Sequence, residues 1–414
     1  MRHRPQDITD CTLDNGTRVV VEHMPWMRST AIGIHLPAGA AHEPPTRRGV
    51  SHFIEHMLFK GTAHRSAAAI AQAMDDVGGT LNAFTEHEYT CLYAQVMTEH
   101  AELAMELMGD MLGASRFDAE EFEREKEVVI EEIMKAEDTP EDRVHDLFAE
   151  TIWPEHPLGR AILGQEQAVR RLSRDAAHAY FRASYGARGM VLAVAGSLEP
   201  QAAVELARRH VGALTGSSPG GCSPAPQPHP GEAYLARPTE QVHFCIGCEG
   251  LATTDDDWWA LALVECVLGG GMSSRLFQEI REKRGLVYNI GSYLAGYHRT
   301  GLLVASGGAR PERWPTVRRL VLAQARRLCE DGVSAEELER ARNQIRGGMA
   351  LALENTSYRM RRLGASVLYW GRVLPVAEAM VRLDAVSVAQ AHAVARRVLG
   401  ARPLHMSAVG PQQG

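Results

Sequence analysis

The chain has 414 residues, a formal net charge of -7 and 45% hydrophobic content. That length exceeds one typical domain and fits about two or three, with ample material for sizeable cores. The acidic balance argues against a nucleic-acid partner, and no run approaches the ~18–20 apolar residues of a membrane span. The opening residues carry no apolar leader, so a cytoplasmic location is expected, although a chain trimmed of a leader would read the same way. Seven cysteines, odd in number and scattered, do not form a disulfide framework.

In chain order, the turn Asp14-Asn15-Gly16 leads into a strand over 17–23, followed by a second over 31–36. A proline-rich loop, 37–48, delivers the chain to a helix bearing His52-Phe53-Ile54-Glu55-His56. Ser66 is placed to cap the next helix, and Gly78-Gly79 stops it. A strand pair follows over 80–84 and 89–96, then an amphipathic helix over 101–113 whose Met105, Met108 and Leu112 read as core packing. A long charged helix spans 118–136, and another, broken from it by Pro140, runs toward Trp153. A helix over 174–184, a strand over 190–196 and a helix over 200–212 close this half.

Residues 215–231 are rich in Gly, Ser and Pro and read as a linker. The second half repeats the order of the first. The stretch 262–271 (ALVECVLGGG) falls where 52–61 (HFIEHMLFKG) fell, placing Ala262, Glu265 and Cys266 on the positions of His52, Glu55 and His56. A helix over 273–283 answers the one at Ser66, and LHMSAVG near the end echoes VLAVAG. The expected fold class is therefore α+β, with two homologous domains, each a mostly antiparallel sheet flanked by helices. The expected bounds are 1–214 and 232–414, joined by the linker 215–231.

Residues four apart share a helix face, so His52 and His56 are able to present two imidazoles to one metal ion. Glu55 is placed to touch a water beside that ion. Two imidazoles and a carboxylate that is not a ligand suit zinc-dependent peptide hydrolysis, and His-x-x-Glu-His is the inverted form of the commoner zinc motif. A third ligand is needed. Glu125 and Glu132 lie seven apart on the charged helix, hence on one face. Val128, Val129 and Ile133 suggest that part of this helix is buried, where a carboxylate wants a partner or a metal. The plainer reading, two solvated glutamates among many, stays open on these grounds alone.

The stretch HFIEHMLFKGT followed by Glu132 in EKEVVIEE resembles the insulinase and pitrilysin peptidases, family M16, and the length resembles the short class that contains the mitochondrial processing peptidase and its bacterial relatives. The resemblance covers nearly the whole chain and implies the M16 metallohydrolase fold and a metalloendopeptidase activity. It implies one zinc per chain on His52, His56 and Glu132, with Glu55 as general base and Glu125 supporting a ligand. It places substrate contacts on Asn82, Ala83 and Phe84, where a peptide adds as an extra strand. Arg281 and Tyr288, seven apart, match a pair that reaches the scissile peptide from the other half, and Gly269-Gly270-Gly271 resembles the family's glycine-rich loop. Long members hold four such units, so two copies of this chain would complete a chamber. A homodimer is the expected partner state, a heterodimer with an M16 partner subunit the alternative, and the substrate a peptide or unfolded protein.

Other features read more plainly. Cys245-x-x-Cys248 lies in an apparent strand and reads as packing, since a zinc or redox site would want a second pair or a helix N-terminus. His35, His87, His100, His145 and His156 lack ligand spacing and read as surface or partly buried residues. A non-catalytic scaffold with this fold is the rival class, but such a protein would be expected to lack some of the motif residues present here. Presequence processing and general peptide degradation share one chemistry, and the sequence leaves both open.

Overall fold

The computed structural model describes residues 7–219, 224–229, 231–400 and 404–412. The first half runs β1 (Asp7–Thr12), β2 (Arg18–His23), β3 (Ser29–Leu36), α1 (Val50–Leu58), α2 (Ala67–Asp75), β4 (Thr80–Thr85), β5 (Thr90–Met97) and α3 (Ala101–Ala114). It continues through α4 (Ala119–Asp138), α5 (Pro140–Ile152), α6 (Glu166–Arg171), α7 (Arg174–Ser184), β6 (Val191–Gly196) and α8 (Pro200–Val211). The second half holds β7 (Glu232–Ala236), β8 (Val242–Glu249), α9 (Trp258–Leu268), β9 (Val287–Gly296) and β10 (Gly301–Ala309). Five helices follow, α10 (Trp314–Glu330), α11 (Ala335–Ala352), α12 (Thr356–Trp370), α13 (Val376–Ala385) and α14 (Val388–Leu399), before β11 (His405–Gly410).

Local chemistry sets several of these bounds. The Ser66 hydroxyl accepts the Ala69 N–H at 3.2 Å, capping α2 as its sequence suggests, and Gly78 at φ +61° ends the turn beyond it. Asn15 and Gly16 (φ +89°) make the hairpin turn between β1 and β2, with the Asn15 carboxamide oxygen accepting the Thr17 N–H. Strand β1 itself had no counterpart among the expected elements. The helix expected over 273–283 differs too: Phe277–Glu282 is wound as a π-helix, a wide turn that occurs mainly as single insertions.

The sheets share one plan. The first has the order β1-β2-β6-β3-β5-β4, with every neighbouring pair antiparallel except β2–β6. The second, β7-β11-β8-β10-β9, is antiparallel except at β7–β11, so it repeats the first without β1. Strands β4 and β9 end their sheets, each with one edge that pairs with no strand among the described residues.

Cα packing divides the chain into two compact units that are not two consecutive stretches. Segment Met134–Arg160, carrying α5, belongs with the second unit, where it packs on β8 and β11. Segment Ala350–Ala377, carrying α12, belongs with the first, where it packs on β6 and β3. The helix after the Pro140 break thus packs on the sheet of the second unit, and its counterpart α12 on that of the first, on either side of the expected linker 215–231. Of that linker, residues 220–223 and 230 lie outside the described residues, while Ser218 is bonded to the Gly186–Arg188 loop.

In the first unit, Ile32, Ile34, Leu36, Leu92, Ala94 and Val96 face the helical layer of α1, α3, α7 and α8. Full burial of each large one is worth about 1.5–3 kcal/mol. The other face, with Val20, Ala31, Val191 and Ala193, lies under Met360, Leu363 and Val367 of α12. Close approach there depends on glycine. A Cβ on Gly33 would meet the Met360 sulfur at 2.0 Å, and one on Gly364 would meet the His35 ring at 2.2 Å. His35, expected at or near the surface, is fully buried beneath this helix, and burial pushes its pKa down to about 4. Among the described residues, no helix is long and apolar enough to cross a membrane.

Candidate metal centre

Helix α1 begins where Gly49 adopts φ +91° and where a buried carboxylate takes up its first N–H groups. Glu43 accepts from Gly49 N and Ser51 N, both at 2.7 Å. A negative charge here also suits the helix dipole. Phe53, Ile54, Met57 and Leu58 are fully buried, and the Phe53 ring meets Phe122 of α4 edge-on at 4.7 Å between centroids. That contact locks α1 against α4. Glu125, Val129 and Glu132 follow Phe122 at helical spacing on the same face, and α4 thereby presents both glutamates to the histidines.

His52 Nε2 lies 3.5 Å and His56 Nε2 3.4 Å from the same Glu132 oxygen. The two rings are 4.7 Å apart between centroids and tilted by 70°. Bonds of about 2.1 Å to a tetrahedral ion place neighbouring ligand atoms roughly 3.4 Å apart, so both histidine–glutamate separations match an edge of such a polyhedron, and all three atoms lie within 4.8 Å of one another. Among the described residues this is the one group of His, Cys, Asp or Glu that converges tightly enough to hold a metal ion. Three ligands leave a fourth position open, the arrangement of a catalytic rather than a structural site.

Outer contacts orient these groups. His56 Nδ1 lies 3.3 Å from Glu125 Oε1, which fits the tautomer that frees Nε2 for a metal. Glu125 also pairs with Lys60. Burial raises the Glu125 pKa, but the bonds to His56 and Lys60 outweigh it and hold the carboxyl below its usual range. Burial, and then the neighbouring His56, push His52 down to about 4, so it is neutral as a ligand must be. Burial acts the same way on His56, yet the Glu125 bond and the surrounding carboxylates leave its pKa raised. Glu55 accepts a 2.7 Å hydrogen bond from the Thr85 hydroxyl, and burial raises its pKa against that bond. The roles of Glu43, Lys60 and Thr85 do not follow from spacing: Glu43 and Lys60 lie close to α1 in the chain but outside its turns, and Lys60 and Thr85 meet their partners Glu125 and Glu55 only across the fold.

Of the substrate-contact residues, Asn82 is exposed, Ala83 is buried toward α1, and Phe84 points to the opposite face of β4, against Tyr89 and Tyr93. Arg281 and Tyr288 belong to the second unit. There the Arg281 guanidinium sits 5.3 Å from the Tyr288 ring and 4.6 Å from that of Phe277, and Tyr288 is 82% exposed.

The insulinase (peptidase family M16) model matches residues 18–166, and that of the M16 inactive domain matches 171–345. A Streptomyces coelicolor protein named as an uncharacterized zinc protease is 40% identical over 412 residues, 97% of this chain and 89% of its own length. A Bacillus subtilis one, YmxG, is 37% identical over 387 residues, 94% of both. This chain belongs to the M16 peptidase family. Solved structures share the M16 fold across its length. The M16 inactive domain from Pseudomonas fluorescens matches at a TM-score of 0.93 and 20% identity, covering 99% of this chain and 98% of that one. A protease from Helicobacter pylori matches at 0.92 and 18%, covering 98% and 100%.

The second M16 unit keeps part of the pattern. Glu265 of α9 accepts a 2.7 Å hydrogen bond from Ser292 of β9, as Glu55 does from Thr85 of β4. Ala262 and Cys266 replace the histidines, and the Cys266 sulfur approaches the Ala341 carbonyl at 3.9 Å. Cys245 and Cys248, three apart on β8, point to opposite faces and are both buried, so the pair does not converge.

Proposed function

We propose that this chain is a zinc-dependent endopeptidase that hydrolyses peptides or unfolded segments of proteins. The convergence of His52, His56 and Glu132, with the Thr85-bonded Glu55 carboxylate on the same helix as the histidines, carries the reading. Zinc held there would supply Lewis acidity, polarising the scissile carbonyl and acidifying the attacking water. Glu55 takes the proton from that water and passes it to the leaving amine. Thr85 holds the carboxylate toward the histidines while it does so. Glu125 fixes the His56 ring and its tautomer. The free edge of β4 suits a peptide added as a further strand, bonded through its main chain and flanked by Asn82, Ala83 and Phe84.

In this proposal Arg281 and Tyr288 stabilise the oxyanion or hold the substrate main chain, and they serve the site of a second copy of the chain. The exposure of Tyr288 supports that reading. Mixing a His52→Ala chain with an Arg281→Ala chain should restore activity in the mixed dimer, and a verified mixed dimer without activity refutes the sharing. The activity itself is tested by cleavage of a quenched peptide that is lost on chelation and restored by stoichiometric zinc. Cleavage indifferent to chelation would reject it.

A further inference from the structure

Helix α12 packs chiefly on β6 and β3 of the first sheet, with Tyr93 of β5 against its margin. Gly33 and Gly364 bring it down onto β3. Gln95 of β5 ties its first turn, donating to Thr356 Oγ1 and accepting from Ser357, both at 3.0 Å. Arg361 projects from the near side of this anchored helix. Its guanidinium lies 4.7 Å from the Tyr93 ring centroid and 5.0 Å from that of Phe84, which stands on the edge strand itself. A guanidinium set over two aromatic rings is steadied by both and keeps N–H groups open to a further partner. Arg361 is exposed, and among the described residues no carboxylate stands within ion-pair distance of it. The acid that feels its charge is Glu86, whose pKa burial raises and Arg361 lowers.

A strand added at β4 turns successive side chains to opposite faces of the sheet. One alternate set faces the histidines. The other faces Phe84 and the Arg361 edge, one strand spacing (about 4.8 Å) from β4. We propose that Arg361 is a specificity-determining residue that selects substrates with a glutamate or aspartate at a position facing Phe84. This rests on the reading of β4 as the substrate edge. A carboxylate is the group that a fixed guanidinium edge pairs with in plane.

The test measures binding apart from cleavage. Zinc-loaded Glu55→Gln protein is titrated into fluorescein-labelled, C-terminally amidated Ala/Leu peptides in which one Glu, Gln or Lys is moved through every position. At alternating positions the Glu peptide should bind on the order of threefold to tenfold more tightly than its Gln counterpart. That ratio should collapse in Arg361→Ala, persist in Arg361→Lys, invert toward Lys in Arg361→Glu and widen in Glu86→Gln. Each ratio compares two peptides on one protein, so a general loss of affinity does not imitate the effect. If Arg361→Ala binds neither peptide, the Lys and Glu variants decide. Equal binding of Glu and Gln peptides, or a preference unchanged by these substitutions, overturns the proposal. Wild-type protein that binds with the preference yet cuts no peptide would instead overturn the peptidase reading and leave the selection standing.

Discussion

His56 Nδ1 stands 3.3 Å from Oε1 of Glu125, a carboxylate only 3% exposed at its side chain and paired on its other oxygen with Lys60. The histidine ring is thus held by a group that does not itself face the open position of the site. Replacing Glu125 by Ala should lower zinc affinity by roughly 10–100-fold, with Glu125→Gln falling between. Competition with a chromophoric chelator measures this directly. Unchanged affinity in Glu125→Ala would show that His56 is oriented by packing alone.

Glu43 holds the start of α1 through Gly49 and Ser51. Glu43→Ala leaves two buried N–H groups without that partner, a loss of about 1–3 kcal/mol. The first turn carries His52, so zinc affinity should fall along with the melting temperature. Urea unfolding and chelator competition on the same variant separate the two effects.

Glu265 gives the second unit a pH dependence of definite sign. Burial pushes its carboxyl up to about 7, against the Ser292 bond. The folded chain therefore holds a proton that the unfolded chain has released once the pH passes about 4.5. Its stabilising contribution is present at low pH and is lost as pH rises toward 7, by about 1–3 kcal/mol. Glu265→Gln should accordingly raise the melting temperature more at pH 8 than at pH 5. Equal shifts at the two pH values would contradict the assignment.

Gly364 has no room for a side chain, since a Cβ there would fall 2.2 Å from the His35 ring. Gly364→Ala should cost about 1–3 kcal/mol through overpacking, read as a lower midpoint in denaturant. His35→Ala in the same chain should recover part of that loss. Failure of the second change to compensate would place the strain elsewhere.

What the sequence made legible was local or strongly periodic. His52, Glu55 and His56 share one helical turn, and Glu125 and Glu132 share one face, so spacing grouped each set, while the resemblance to M16 peptidases joined the glutamates to the histidines. Ser66 announced a cap, and the alternating strands announced both sheets. Partners outside such a spacing left no trace. Glu43, Lys60 and Thr85 meet the site only after the chain has folded. The packing of α5 and α12 was hidden for a related reason: an amphipathic helix shows that it has a buried face, but not which of two similar sheets will cover it. The wide turn at Phe277–Glu282 reads as ordinary helix because six residues are too few to reveal a changed period.

In the proposed function one carboxylate on α1 moves protons while the two histidines beside it and Glu132 hold the metal. The most direct measurement pairs zinc content with cleavage of a quenched peptide in wild-type and Glu55→Gln protein. One zinc per chain is expected in both, with the variant slower by about 10²–10⁴-fold. A variant that cleaves at the wild-type rate, or a wild-type chain that cleaves without bound zinc, would contradict it.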